Sequence, residues 1–371
     1  MPQYESDAGN VTGASGSDFE LVVISAHRRR HANRFVLARC TRVAVTNPRT
    51  NCWHGDDPLT IAARPLPAAV ARQKFEDPDW TVKGEARARV PLDRLETLWI
   101  NTGTLCNITC QSCYIESSPK NDRLVYMTAA EVSVFLDEAQ ALGTREIGFT
   151  GGEPFLNPDA PTMIADALER GFAVLVLTNG MVPMQRPANK AALVELKRRF
   201  PGRLTLRVSL DHYTRDLHER ERGPRTWEPA MRGIDWLSDQ GFALAIAGRT
   251  CWGEVEAQSR AGYAELIGRH GWRIDPDDRR QLVLFPEMDG RREVPEISVG
   301  CWGILGKHPS QMMCAHSRMV VKRKGAAAPV VLPCTLLPYE PAFEMGQTLR
   351  AAAAADGGMF DRGAVKLCHA H

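Results

Sequence analysis

Six short apolar segments alternate with five amphipathic segments between residues 95 and 285, and this alternation limits the folds open to the chain. The predicted strands are 95–100, 146–150, 173–178, 204–210, 242–247 and 281–285, and the predicted helices are 128–142, 160–170, 190–200, 228–240 and 257–270. Strands that alternate with helices in this way form parallel sheets covered by helices. An open doubly wound sheet and a curved partial barrel both satisfy the pattern, and periodicity does not separate them.

Three cysteines with CxxxCxxC spacing, Cys106, Cys110 and Cys113, follow directly after the first predicted strand. Three thiolates on one short loop can hold three corners of a [4Fe–4S] cluster, which usually takes four cysteine ligands. One iron would then keep an open position for a ligand that is not protein. A structural zinc site usually has a second cysteine or histidine pair, which is not nearby here, and buried free thiols are the remaining alternative.

The overall composition argues against several functional classes. The chain has 371 residues, of which 44% are hydrophobic and 24% are charged, which is typical of a globular protein with two or three domains. Its net charge of +2 gives no bulk attraction to nucleic acid or to an anionic membrane. The first 20 residues lack the apolar core of a secretory signal, and no apolar run reaches 18 residues. Ten cysteines in such a chain favour a reducing cytoplasm and metal ligation over disulfides.

Polar residues and glycines follow the predicted strands at their carboxyl ends, where the ligand sites of parallel α/β folds collect. These residues are Gly151, Gly152, Glu153, Asn179, Ser209, Asp211 and Arg249. The two glycines allow the backbone to approach a ligand closely, although the same segment also fits a simple βα turn. Ser209 and Asp211 point to the same face of their strand and suit a ribose diol, or alternatively cap a helix. Asn179 and Arg249 fit ligand contacts and loop anchors equally well.

The cysteine loop, Tyr114, residues 150–154 and residues 209–211 together resemble the radical SAM superfamily over residues 94 to 290. The resemblance implies that the three loop cysteines hold a [4Fe–4S] cluster and that S-adenosylmethionine chelates its fourth iron through amino and carboxylate groups. One electron from the cluster would cleave the sulfonium, and the resulting 5′-deoxyadenosyl radical would abstract a hydrogen from the substrate. The implied fold is α/β, a partial (β/α)6 TIM-like barrel with a small C-terminal extension of a β-hairpin and a helix.

The resemblance also implies which residues contact S-adenosylmethionine. In the family, the segment that matches residues 151–153 grips the amino group, and Glu153 either contacts this ammonium or braces the loop. Ser209 and Asp211 match a position that contacts the ribose or the carboxylate. The full expected set is Tyr114, Gly151, Gly152, Glu153, Asn179, Ser209, Asp211 and Arg249. The family usually has an aromatic residue where this chain has Ser112, so the adenine-facing contact is the point at which the chain departs from it.

From about residue 295 the strand–helix alternation stops and cysteines return, at Cys301, Cys314, Cys334 and Cys368. A β-hairpin is predicted around Gly325, with one cysteine at each base. This segment resembles the twitch and SPASM extensions of radical SAM enzymes, which hold an auxiliary iron–sulfur cluster. The implied ligands are Cys314, Cys334 and Cys368, with Cys301 as a candidate fourth, and the alternative is that these are buried core thiols. A full SPASM domain continues with further cysteines after this point, so the expectation is a twitch type or a domain that lacks its end.

The expected organisation has four parts: a disordered or poorly defined extension at 1–57, a lead-in segment at 58–93, a radical SAM core at 94–294 and an auxiliary-cluster region at 295–371. The expected function is that of a cytoplasmic radical SAM enzyme with no catalytic residue beyond the cluster ligands, since the cofactor carries the difficult chemistry. Its substrate would be a peptide or a small molecule, and its electron donor a protein such as flavodoxin or ferredoxin. A non-catalytic zinc protein and an iron–sulfur electron carrier are the alternatives.

Overall fold

One eight-stranded sheet organises the part of the chain that the structure, a computed structural model, describes: residues 73–286 and 293–354. The strands are β1 (Thr97–Asn101), β2 (Glu146–Thr150), β3 (Ala173–Thr178), β4 (Leu204–Ser209), β5 (Ala243–Arg249), β6 (Leu282–Phe285), β7 (Ser317–Val321) and β8 (Val330–Leu332). Their order across the sheet is β6-β5-β4-β3-β2-β1-β7-β8. Neighbours pair in parallel, except that β7 and β8 form an antiparallel hairpin. The expectations for residues 1–57 and for Cys368 lie outside the described residues.

The helices follow the predicted alternation closely. In the described chain they are α1 (Ala129–Ala141), α2 (Ala160–Glu169), α3 (Val182–Gln185), α4 (Pro187–Arg199), α5 (Arg215–Arg222), α6 (Trp227–Asp239), α7 (Glu256–His270), α8 (Cys301–Leu305) and α9 (Leu349–Ala354). The helices α1, α2, α4, α6 and α7 lie where periodicity predicts a helix. The helix α5 is not predicted, because its eight residues include six charged side chains and give almost no apolar periodicity.

The start of α1 shows how local sequence fixes an element. Thr128 Oγ1 accepts a hydrogen bond from the Glu131 amide at 3.2 Å, and the Glu131 carboxylate accepts one from the Thr128 amide at 2.9 Å. This reciprocal pair satisfies amide groups at the end of the helix that have no helical partner. A capping box therefore fixes the start of α1, at the point where the sequence predicts a helix.

The main hydrophobic core lies between the sheet and the helices. Leu98 and Ile100 of β1 and Phe149 of β2 are fully buried, and they belong to one cluster with apolar side chains of α1, α2, α4, α6 and α7. The strand β3 reads as an almost continuous apolar run, as expected for a parallel strand that is covered on both faces. This packing holds the sheet as a firm support for the loops that leave the carboxyl ends of its strands.

The C-terminal hairpin extends the sheet beside β1. Its antiparallel pairing confirms the hairpin predicted from the sequence. The strand β7 also runs parallel to β1, with Ser317 opposite Thr97, and this pairing is not predicted. Because Cys314 precedes β7 and Cys334 follows β8, both cysteines lie toward the amino end of β1, whereas the Cys106 loop leaves its carboxyl end.

Residues 73–90, which fall in the predicted lead-in segment, pack against residues 293–299. The Ala88 amide donates a hydrogen bond to the Ile297 carbonyl at 2.9 Å. The Glu296 carboxylate accepts hydrogen bonds at 2.8 Å and 2.7 Å from two backbone amides of the lead-in segment. This part of the lead-in is therefore joined to the C-terminal region and does not run as an isolated extended chain.

The sheet is open, with β6 and β8 at its two edges. The strands β1 to β6 follow one another across the sheet in chain order, without the reversal of a doubly wound sheet. This order is that of a partial TIM-like barrel, so the predicted α/β fold class is confirmed. No helix among the described residues combines the length and the apolar character needed to cross a bilayer.

Candidate functional site

The cysteine loop begins at the carboxyl end of β1 and folds back on itself. Cys106 is buried, while Cys110 and Cys113 are partly buried, and all three are free thiols. The Cys106 amide donates to the Ser118 carbonyl at 3.1 Å. Cys113 Sγ accepts a hydrogen bond from the Ser117 amide at 3.3 Å. The loop therefore presents three thiols from one compact turn at this edge of the sheet.

Burial controls the protonation of these thiols in the metal-free protein. It raises the pKa of Cys106 to about 12 and the pKa of Cys110 to about 11, although the nearby Arg222 guanidinium lowers both. Both groups are therefore neutral thiols near neutral pH. A metal that takes them as thiolates would displace their protons.

The glycine pair after β2 packs against the residues that lead into the cysteine loop. A Cβ atom on Gly152 would lie 2.2 Å from the Leu105 carbonyl oxygen, and one on Gly151 would lie 2.5 Å from the Gly103 carbonyl oxygen. Gly151 also has a φ of +140°, which side chains rarely adopt. The Gly152 amide donates to the Gly103 carbonyl at 2.8 Å. The close approach made by this pair is thus to the cysteine loop itself.

Glu153 is buried and joins the ends of β2 and β3. Its carboxylate accepts hydrogen bonds from Thr178 Oγ1 at 2.9 Å, from the Asn179 amide at 2.8 Å and from the Phe155 amide at 3.2 Å. Burial raises its pKa to about 7 in spite of these donors. Of the two roles predicted for Glu153, the described contacts correspond to bracing of the loop.

Asn179 connects the end of β3 to the cysteine loop. Its Nδ2 donates to Asn107 Oδ1 at 2.9 Å and lies 3.9 Å from Cys106 Sγ, while its Oδ1 accepts from the Met181 amide at 2.9 Å. Asn107 follows the first cysteine directly. The loop is therefore anchored from a second strand end.

Asp211 is buried after β4 and forms an ion pair with Arg222 of α5. The closest approach, between Arg222 Nε and Asp211 Oδ2, is 2.7 Å, and Nη2 donates a hydrogen bond of 3.2 Å to Oδ1. Burial disfavours the charged guanidinium, but Asp211 and Cys110 outweigh it, so the pKa of Arg222 is raised. Ser209, two residues earlier, is partly buried at the end of β4.

A second residue of α5 holds the middle of the cysteine loop. Glu221 Oε1 accepts from the Ser112 amide at 2.8 Å, and Oε2 accepts from Ser112 Oγ at 3.2 Å. The Gln111 amide donates to the Glu221 carbonyl at 2.8 Å. Arg249, at the end of β5, lies 3.3 Å from the same carboxylate. Glu221 is not among the site residues predicted from the sequence, although residues 218–223 resemble a segment that often follows this position in the radical SAM superfamily and Ser112, in place of an aromatic residue, needs a polar partner.

Tyr114, directly after the third cysteine, is 42% exposed. Its hydroxyl lies close to Thr150 at the end of β2, with the Cys113 and Cys334 thiols both within electrostatic range. Two regions that are distant in sequence thus approach each other around this side chain.

The second group of cysteines is less compact. Cys314 and Cys334 are buried, and Cys301 is partly buried with its Sγ accepting from the Ser298 amide at 3.4 Å. Burial raises the pKa of Cys334 to about 12. Cys314 packs near Val90, while Cys334 packs with other apolar residues of the C-terminal region. Cys368, the third predicted ligand, lies outside the described residues.

Tyr339 ties the segment after Cys334 to the cysteine loop. Its hydroxyl donates to the Ile115 carbonyl at 2.6 Å and accepts from Asn121 Nδ2 at 3.1 Å. The Arg123 guanidinium carbon lies 3.6 Å from the centre of the ring. The C-terminal region is therefore held against the residues that follow the three loop cysteines.

Within 73–286 and 293–354, no group of three or more His, Cys, Asp or Glu side chains is placed to hold one metal ion. In a cubane cluster each thiolate binds a different iron, so the donor sulfurs lie further apart than the ligands of a single metal ion do.

A family model described as the Radical SAM superfamily matches residues 100–249. The antilisterial bacteriocin subtilosin biosynthesis protein AlbA of Bacillus subtilis is 28% identical over 197 residues, which are 50% of this chain and 41% of that protein. The Fe-coproporphyrin III synthase of Methanosarcina barkeri is 28% identical over 145 residues, which are 38% of this chain and 33% of that protein. This chain thus spans well under half the length of both curated relatives.

The solved structure of native anSMEcpe with bound AdoMet has a similar fold, with a TM-score of 0.51. The superposition covers 71% of this chain and 81% of that chain at 13% identity. At this level of identity the likeness concerns the fold alone, and it agrees with the open, barrel-like sheet.

Proposed function

We propose, from the match of the Radical SAM superfamily model to residues 100–249, that this chain is a radical SAM enzyme that cleaves S-adenosylmethionine reductively at a [4Fe–4S] cluster. Cys106, Cys110 and Cys113 would hold the cluster. The observation that carries the proposal is the placement of these three free thiols on one anchored loop at the carboxyl edge of the sheet.

The donor set suits this cofactor. Thiolate sulfur is the usual ligand of iron–sulfur clusters, and three thiols leave one iron for a ligand that is not protein. Arg222 supplies a fixed positive charge near Cys106 and Cys110, which favours their thiolate forms. When bound, the cluster would supply one electron that breaks the C5′–S bond of S-adenosylmethionine, giving methionine and a 5′-deoxyadenosyl radical that abstracts a hydrogen atom from the substrate.

We assign the binding of S-adenosylmethionine to the neighbouring strand ends. The residues are Tyr114, Gly151, Gly152, Glu153, Asn179, Ser209, Asp211 and Arg249. Glu153 and Asn179 would act mainly by fixing the loops, because their described side-chain contacts are to protein groups. Ser209 is partly buried and would contact S-adenosylmethionine directly, and Arg249 would do so while it stays paired with Glu221. Asp211 would act through Arg222, with which it forms an ion pair.

We further propose a second iron–sulfur cluster at the C-terminal cysteines. Cys314 and Cys334 would be two ligands, with Cys368 as the third and Cys301 as a candidate fourth. The support comes from the described hairpin, which brings Cys314 and Cys334 toward the same end of β1. The competing interpretation is that both are core thiols, because free cysteine is among the most commonly buried residues.

The proposed substrate is a peptide. The relative AlbA is a protein of bacteriocin biosynthesis, and a bacteriocin is a polypeptide. The name Fe-coproporphyrin III synthase makes a small molecule the second candidate. The proposed cleavage requires one electron, and we propose a reduced protein such as flavodoxin or ferredoxin as its donor.

Anaerobic reconstitution with iron and sulfide, followed by assay for 5′-deoxyadenosine with dithionite and S-adenosylmethionine, tests the proposal. The expected result is a coloured protein that forms 5′-deoxyadenosine. A colourless protein that binds zinc would instead support a structural zinc site. A coloured protein that leaves S-adenosylmethionine intact would support an electron carrier, and either outcome contradicts the proposed function.

A further inference from the structure

Two arginine side chains in the described chain are almost completely buried, and their surroundings differ. Arg87 is 2% exposed, and its Nη2 lies 2.6 Å from the Glu296 carboxylate. The same side chain also donates to two backbone carbonyls. Its charge is therefore compensated by a carboxylate that is itself buried.

Arg318, the second residue of β7, is 1% exposed. Its Nη1 donates to the Cys314 carbonyl at 2.6 Å and to the Ser317 carbonyl at 2.7 Å. Its Nε and Nη2 are buried and have no hydrogen-bond partner among the residues that the structure describes. Across residues 73–286 and 293–354, no carboxylate forms an ion pair with this guanidinium. Arg318 is thus a buried cation without a described counter-charge.

A buried charge is costly unless a group of opposite charge compensates it. Among the described residues, the Cys314 and Cys334 thiols are ionisable groups close to Arg318, whose Nη1 is already bonded to the Cys314 carbonyl. As neutral thiols they offer no net charge, but as thiolate ligands they would bring negative charge directly to this position. Arg318 Nε and Nη2, which together carry three N–H groups, are then available as donors to such a group.

We propose that Arg318 is the charge-compensating and positioning residue for an anionic, thiolate-bound iron–sulfur group at Cys314 and Cys334. This inference rests on the second cluster put forward under the proposed function. When such a group accepts one electron, its net charge becomes more negative by one unit. A fixed cation nearby stabilises that reduced form and shifts the reduction potential in the positive direction.

The test uses the full chain with Cys106, Cys110 and Cys113 replaced by Ala, so that any cluster iron belongs to the second site. Into this background Arg318→Met and Arg318→Lys are introduced separately, and Arg87→Met serves as the matched control for loss of a buried arginine. Each variant is reconstituted anaerobically with iron and sulfide. Iron content, the midpoint potential from dithionite titration followed by electron paramagnetic resonance, and the thermal midpoint with and without iron are measured.

Arg318→Met should shift the potential in the negative direction and lower the thermal midpoint more in the iron-loaded than in the iron-free protein. Arg318→Lys keeps the charge and should lie between Arg318→Met and the parent in both measurements. Arg87→Met should lower the thermal midpoint equally in both forms and leave the potential unchanged. Loss of iron from Arg318→Met with retention in Arg318→Lys supports the same conclusion.

An Arg318→Met variant that behaves as Arg87→Met does would overturn the proposal, because Arg318 would then be structural only. Loss of iron from both Arg318 variants, together with equally lowered thermal midpoints without iron, would overturn it in the same way. If the protein with the three loop cysteines replaced by Ala binds no iron, then there is no second cluster, and the proposed role of Arg318 is wrong as well. That result leaves the cleavage of S-adenosylmethionine to be decided separately by the protein with its loop cysteines intact.

Discussion

The two groups of cysteines differ in how the chain supports them. The loop cysteines lie within eight residues of sequence and are surrounded by a network of charged side chains, in which Glu221 and the Asp211–Arg222 pair are central. The C-terminal cysteines come from separate segments toward the other end of β1, and among the described residues the buried guanidinium beside them, that of Arg318, has no carboxylate partner. The first region is thus nearly complete in its compensation of charge, and the second is not.

This difference bears on what each region can do without a cofactor. A network with paired charges keeps its geometry in the empty protein, because each buried ion has its partner. A buried guanidinium with unused donors gains its compensation only when a negatively charged group is bound. We therefore expect the loop to be preorganised for its cluster and the C-terminal region to depend on its cluster for stability.

The largest expected effect is the loss of a cluster, and its consequence differs between the two groups of cysteines. Cys106→Ala should abolish the formation of 5′-deoxyadenosine, because two thiolates are too few to hold a cubane. Cys314→Ala should instead remove roughly four irons per chain from the second site. Product is measured by chromatography after anaerobic reaction with dithionite, and iron by colorimetric assay. Cys251→Ala, to which no role is assigned, is the control.

If Cys106→Ala formed 5′-deoxyadenosine at the rate of the unmodified protein, the loop would not be the catalytic site. If Cys314→Ala kept all of its iron, the protein would hold one cluster only, and Cys314 and Cys334 would be core thiols.

The next effect concerns the charged network around the loop. Glu221→Gln removes the negative charge shared by Ser112 and Arg249. It should lower the free energy of unfolding by about 2 kcal/mol, since hydrogen bonds to charged groups contribute about that much. Iron should also be lost faster to a chelator from the loop cluster than from the second site. Glu228→Gln is the matched control, because Glu228 pairs with Arg215 at the exposed surface and such pairs contribute little.

Urea unfolding of the iron-free variants measures the first part, and anaerobic chelation kinetics measure the second. Equal stability of Glu221→Gln and Glu228→Gln would mean that the network does not organise the loop.

The strands and most helices were predictable because each carries its own apolar periodicity. The pairing of β7 with β1 was not, since a hairpin read from local sequence does not show which strand it will join. The contact between Ser112 and Glu221 joins residues 109 positions apart, and the helix that carries Glu221 has almost no apolar pattern. The three loop cysteines are predictable as cluster ligands because their spacing is local. The burial of Arg318 is not predictable, because one charged residue in a sequence does not show whether its side chain is buried.

Low pH should lower the stability of the protein through His218 of α5, the helix whose Glu221 holds the cysteine loop. His218 of α5 is fully buried, and burial, with a further contribution from Arg222, lowers its pKa to about 3, in spite of the nearby Asp211. The unfolded chain would bind a proton at about pH 6.5, whereas the folded chain would not do so until about pH 3. Stability contributed by this group is therefore present above pH 6.5 and is lost as the pH falls, at about 1.4 kcal/mol per pH unit.

In His218→Phe the side chain cannot titrate, and an aromatic ring stays beside Trp227. Its free energy of unfolding should therefore fall less steeply than that of the unmodified protein as the pH is lowered from 6.5 to 4. Urea unfolding of the iron-free protein at several pH values gives the two slopes. Identical slopes would show that His218 is solvated or already protonated in the folded state.

The smallest expected effect lies at the edge of the loop region, where direct contact with S-adenosylmethionine is proposed. Ser209→Ala should weaken binding of S-adenosylmethionine by about 1 kcal/mol, or about fivefold, because one hydrogen bond is lost. Iron content should not change, since Ser209 would contact the ribose or carboxylate and not the cluster. Asp211→Ala should have a larger effect that includes lower stability, because it leaves the buried Arg222 without its partner. Equilibrium dialysis against S-adenosylmethionine measures the affinity, and an unchanged affinity in the double variant would show that both residues serve only to hold the end of β4.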